Sequence, residues 1–178
     1  MSEWRRPGRA EAASFAIVAL LASGGGCGPP NGPTPAAISE FSLGIVPLNG
    51  SGYRVTFRSG GAATDVRSGD LIPDAECVGS VPPADYERVA GVMAEEGFFS
   101  LEGPYGSHPE EPPTVFTMAT RDGTQKTVRN HRGTAPSSLR RIQAAIRELR
   151  ESVAWAARSG QPGDERRCST GFFYGEPR

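Results

Sequence analysis

Lysine is almost missing from this chain of 178 residues: Lys126 stands alone against eighteen arginines. So lopsided a ratio points to GC-rich coding rather than to chemistry. Histidine is scarce as well, and His108 and His131 alone fall short of the three or four convergent ligands a zinc site needs. The three cysteines include no C-x-x-C pair, which removes a thioredoxin-like redox site and a zinc knuckle. No apolar run reaches the roughly 18 residues that cross a bilayer, so no helix of the mature chain is expected to span a membrane. The formal charge of −1 excludes a wholesale nucleic-acid binder, because phosphate contacts demand a concentrated cationic surface. Neither a G-x-S-x-G elbow nor a G-x-x-x-x-G-K-[ST] phosphate loop occurs. No catalytic residue, metal ligand or cofactor follows from the sequence. What the chain has in excess is 23 glycines and 16 prolines, on a length that fits one domain.

Those glycines and prolines are unevenly placed. Arg5, Arg6 and Arg9 form a basic start, followed by the apolar run Ala12 to Ala22, the small residues Ser23 to Gly26, and Cys27. An apolar run of that size matches the core of a secretory signal. The segment resembles a bacterial lipoprotein signal, with Gly24 where such signals usually carry Leu. The resemblance implies cleavage after residue 26, lipid on Cys27 and attachment to a membrane of the cell envelope. The alternative is a general signal-peptidase cut nearby, with Cys27 an ordinary thiol. Residues 27–37 then read as a Pro/Gly-rich tether, extended and semi-rigid. If Cys27 is lipidated, Cys77 and Cys168 are left in an oxidising compartment. A bridge between them would contribute about 4–5 kcal/mol by loop closure; two unpaired thiols are the other outcome.

Residues 38–158 carry the fold signals. ISEFSLGIV (38–46) reads as a strand, and Tyr53, Val55 and Phe57 alternate with Arg54, Thr56 and Arg58 at period two. Ser59-Gly60-Gly61 and Asp122-Gly123 mark hairpins, the second between 114–120 and 124–131. Pro82-Pro83 opens a helix whose Tyr86, Val89, Ala90 and Met93 share one face, with Gly97 as terminator. Leu139, Ile142, Ile146, Leu149 and Val153 form the apolar stripe of a last helix, with Arg140, Arg141, Arg147, Glu148, Arg150 and Glu151 outside it. The order predicts an α+β domain: an antiparallel sheet of about four to five strands with two helices packed on one face. Residues 159–178 make a tail in which Phe172-Phe173-Tyr174 either dock on the domain or mark a partner contact.

The series YRVTFRSGGAATDVRSGD, PADYERVAGVMAEEGFFSL, KTVRNH and APSSLRRIQAAIREL resembles a family of uncharacterised bacterial envelope lipoprotein domains. The resemblance covers roughly residues 38–155 and rests on element order and the GFFSL plug. It implies an exported α+β domain and carries no activity with it. At IVPLNGSG (45–52) the chain lacks the cysteine found there in many members.

Charge is segregated. From Asp70 to Glu111 ten acidic residues face Arg88 alone, a net of −9, whereas residues 132–178 hold nine arginines and five acids, a net of +4. Either two patches recruit opposite partners, or the basic helix face and the acidic region meet each other or solvent within one domain. Asp70, Asp74 and Glu76 lack the spacing of a calcium loop. The loop 102–113 gathers Tyr105, His108, Glu110 and Glu111 as a candidate binding loop. The expectation is therefore a lipid-anchored binding or structural module with an envelope protein as partner. The competing readings are an exported hydrolase using Tyr105, His108 and Glu110, or a small inhibitor presenting the loop.

Overall fold

A computed structural model of the chain describes residues 38–46, 52–68, 75–108, 113–131, 133–158 and Cys168. All belong to the unit Asn31–Arg178. The signal and tether expected at 1–26 and 27–37, and the tail apart from Cys168, lie outside the described residues.

The strands are β1 (Ile38–Val46), β2 (Gly52–Arg58), β3 (Ala62–Ser68), β4 (Ala75–Ser80), β5 (Thr114–Arg121), β6 (Thr124–His131) and β7 (Ala156–Ala157). Helix α1 is Pro83–Glu95 and α2 is Ser137–Ser152. The strands form one antiparallel sheet in the order β6-β5-β1-β2-β3-β4-β7. Seven strands correct the expectation of four to five. The two that sequence reading passed over are β4, whose AECVGS lacks a run of branched or aromatic residues, and β7, too short to show a period. Backbone pairing builds both: β4 continues the ladder of β3, and β7 caps it at Cys77 and Val78.

The turns follow the sequence. Asp122 and Gly123 both take positive φ, 50° and 75°, as a two-residue hairpin turn requires. In the β2–β3 hairpin Gly61 sits at φ 83°, and its amide donates to Arg58 at 2.8 Å. That turn sets Ala63 opposite Phe57 and fixes which side chains of β3 face inward.

One face of the sheet carries Phe41, Leu43, Val55, Phe57, Ala63, Val115, Ala119 and Val128, all buried. Both helices cover it. Tyr86 of α1 stacks on Phe41 with centroids 4.8 Å apart, and its hydroxyl donates to the Ile38 carbonyl at 2.9 Å. Burial, aided by Glu40, raises the Tyr86 pKa far above the ordinary phenol value. From α2, Leu139, Ile142, Ile146 and Leu149 enter the core, while Val153 lies just past the helix end. Gln143 is buried with them and donates to Thr117 Oγ1 (3.1 Å) and Asn130 Oδ1 (2.9 Å). Phe98, in a short 3₁₀ turn (Phe98–Ser100), is fully buried, and the Phe99 ring takes the Arg121 guanidinium at 4.2 Å.

The helices also meet through charge: Arg141 of α2 pairs with Glu96 at the end of α1. This hydrogen bond, more than Coulombic attraction alone, holds the Glu96 carboxyl below its usual 4.5. A carboxyl with a lowered folded pKa stabilises the fold above its unfolded value and loses that contribution as pH falls through the folded value. The stability difference between the wild type and Glu96→Gln is therefore expected to be small and present above pH 4.5, and to fade below it. Paired urea titrations across that range measure it.

Candidate functional site

Cys77 and Cys168 form a disulfide across 91 residues, and both are buried. Cys27, Glu110 and Glu111 lie outside the described residues. Of the candidate loop, Tyr105 is half-buried and stitched to the sheet edge: its amide donates to Arg129 O at 2.9 Å, and its carbonyl accepts from His131 N at 3.0 Å. His108 is exposed. His131 ends β6, as its position suggested. No three His, Cys, Asp or Glu side chains cluster as metal ligands among the described residues.

Beside the disulfide lies a buried charge cluster. Cys77 stands opposite Asp65 in the β3–β4 register. Asp65 Oδ2 accepts from Arg67 Nη2 (3.0 Å) and Nε (3.2 Å), and from Arg150 Nη2 (2.9 Å) and Nε (3.2 Å). Asp65 Oδ1 is buried and accepts no hydrogen bond. Arg150 corrects the reading that placed it on the outer side of α2: four residues after Ile146, it lies along the apolar stripe and is 4% exposed. Its guanidinium covers the Tyr53 ring at 3.8 Å. Tyr53 lies in the inward phase of β2 with Val55 and Phe57, packed against the core.

The far side of the sheet carries the features a binding surface needs. Strand register sets one row of residues across six strands: Arg129, Phe116, Gly44, Arg54, Val66 and Glu76. Gly44 has no side chain, and the Phe116 ring occupies the vacated space; a Cβ on Gly44 would fall 1.9 Å from the ring's Cζ. The ring thus lies across β1 and reaches the Arg54 guanidinium, 5.2 Å from its centroid. A groove of about 350 Å³ runs on the β2–β3 side of the ring, where Val46, Arg54, Val66 and Ser68 line it. A second, of about 560 Å³, runs on the β5–β6 side between Thr114, Met118, Thr127 and Arg129. Phe116, Arg54 and Val46 wall both. Val46 and Val66, 48% and 43% exposed, are the large hydrophobic side chains left in solvent among the described residues, and both stand here.

The charges on this face are unequal. Glu40 is held by Arg58 at 2.9 Å and Glu76 by Arg158 at 3.3 Å. Arg54 and Arg129 have no carboxylate partner among the described residues, and those residues leave the face an excess of two positive charges. Ser42, on the next row beside Thr56 and Met118, is fully buried beneath these side chains with its hydroxyl unpartnered.

Sequence reading missed this face, yet TVFTMAT carried a signal. Val115, Thr117 and Ala119 fill the inward phase of β5, and Phe116 and Met118 put large apolar groups on the outward phase. Among the described residues no helix covers that side, so a strand apolar on both faces leaves apolar groups on it. No protein-family model matches the chain, and neither does any curated protein.

Proposed function

We propose that the chain is an exported protein of the cell envelope, anchored through lipid on Cys27, whose domain binds a partner through the open face of its sheet. The observation that carries this reading is the convergence on that face of Val46, Val66, Phe116 and two arginines with no carboxylate partner among the described residues. Apolar surface of this kind, ringed by polar groups, is where proteins meet ligands and each other. A buried disulfide supports an oxidising compartment, since such bonds are rare where thiols are kept reduced. The charge–apolar–small order ending at Cys27 supports export and anchoring.

Replacing Cys27 tests the anchor. The wild type is expected in the membrane fraction after a high-salt wash. Cys27→Ala is expected to shift to the soluble or secreted fraction, or to persist as an unprocessed precursor. A wild-type protein found in the cytosol with residues 1–26 intact overturns the reading.

A further inference from the structure

We infer that the occupant of the open face is an extended acidic segment of a partner protein, with an apolar side chain flanked by two carboxylates. The inference rests on the reading of that face as a binding surface. Arg54 and Arg129 lie on one cross-strand row, three strand spacings apart through β1 and β5. At about 4.8 Å per spacing their backbones are roughly 14 Å apart. An extended peptide advances about 3.3 Å per residue, so that span is about four residues. Side chains at i, i+2 and i+4 of such a peptide point the same way. A peptide laid along the row would set carboxylates at i and i+4 against Arg54 and Arg129, and would place the residue at i+2 over Gly44 and Phe116. The central position suits an apolar or aromatic side chain, because the Phe116 ring fills the space over Gly44 and a groove opens on either side of it.

The charge pattern selects this occupant over other anions. Carboxylates already paired, Glu40 and Glu76, stand on the same face, which disfavours a polyphosphate chain. Two arginines without a carboxylate partner among the described residues are also fewer than the four to eight basic residues typical of an anionic-lipid surface.

The test uses the full chain and fluorescein-labelled nine-residue peptides followed by anisotropy. The acidic probe is Gly-Ser-Glu-Gly-Phe-Gly-Glu-Ser-Gly; its controls replace both Glu by Lys or by Gln, or Phe by Gly. The acidic probe is expected to bind at least about tenfold more tightly than each control. Arg54→Glu combined with Arg129→Glu is expected to lose that preference and to bind the lysine peptide instead. Both positions are exposed, and an unchanged thermal melt checks that the variant is folded. Equal binding of the acidic, glutamine and lysine peptides, or an acidic preference that survives the double reversal, overturns the inferred chemistry while the face stays a binding surface. Absence of binding by every peptide overturns it, as does stronger binding to vesicles of anionic phosphatidylglycerol than to the acidic peptide. None of these results bears on the anchor at Cys27, which fractionation decides separately.

Discussion

Without the Cys77–Cys168 bridge, the domain is expected to lose about 4–5 kcal/mol of stability, because the bond closes a loop of 91 residues in the unfolded chain. For a domain of this size such a loss lowers the melting temperature by roughly 15–20 °C. The loop holds α1, β5, β6 and α2, so the cross-link restrains most of the unfolded domain. Its anchor points matter locally as well. β4 is held on one side by β3 and on the other by the two residues of β7, and Cys77 sits at that last pairing. Cys168, outside any strand, is tied to the sheet by this bond. Thermal melts of Cys77→Ser with Cys168→Ser against the oxidised wild type measure the global effect. Hydrogen exchange should show β4 and β7 opening first. A loss below about 1 kcal/mol would mean that residual structure in the unfolded chain already restrains the loop.

The second large effect lies one residue pair away. Asp65 is the buried acceptor for two guanidiniums, Arg67 and Arg150. Asp65→Asn keeps the size and removes the charge, leaving two buried cations without that counter-charge. Breaking a buried pair in this way costs about 3–5 kcal/mol. The cost comes chiefly from burying two guanidiniums without the Asp65 charge, so removing one of them as well should recover part of it. In a double-mutant cycle, Asp65→Leu with Arg150→Met is expected to be less destabilising than the sum of its single changes by at least about 1 kcal/mol. Urea unfolding of the four proteins gives the coupling. Additivity within about 0.5 kcal/mol contradicts the pairing as a stabilising contact.

Much of the architecture was legible because local signals agreed with the tertiary fold. Tyr53, Val55 and Phe57 do alternate, Asp122-Gly123 does turn, and Tyr86, Val89, Ala90 and Met93 are the buried side of α1. The bridge between Cys77 and Cys168 is the pairing favoured by the cysteine count. The illegible parts share a cause: pairing or register overrode composition. β4 and β7 exist through backbone bonds to neighbours that no local window reveals. β3 is the sharper case. On hydrophobicity alone Val66 would turn inward and Asp65 and Arg67 outward, yet the turn at Gly61 imposes the opposite phase. That inversion buries the charge cluster and exposes Val66 on the face away from the helices. Sequences depart from their own pattern where function or specificity demands it, and both consequences of this departure fall at the features singled out above. The open face itself was hidden because its residues come from six strands and meet only through register.

The loop 102–113, prominent in the sequence for its Pro, Gly and carboxylates, is drawn at Tyr105 into an edge pairing with β6. Its acidic members Glu110 and Glu111 lie outside the described residues. The acidic and basic segments meet at two described contacts, Glu96 with Arg141 and Glu76 with Arg158, so part of the charge segregation is settled within the domain.

The most direct test is mass spectrometry of the protein purified from its own cells, intact and as non-reduced proteolytic fragments. An exported, anchored module gives a chain that begins at Cys27 with added acyl mass, and a Cys77 peptide joined to a Cys168 peptide. A chain that retains residues 1–26, with Cys77 and Cys168 recovered as free thiols, contradicts it.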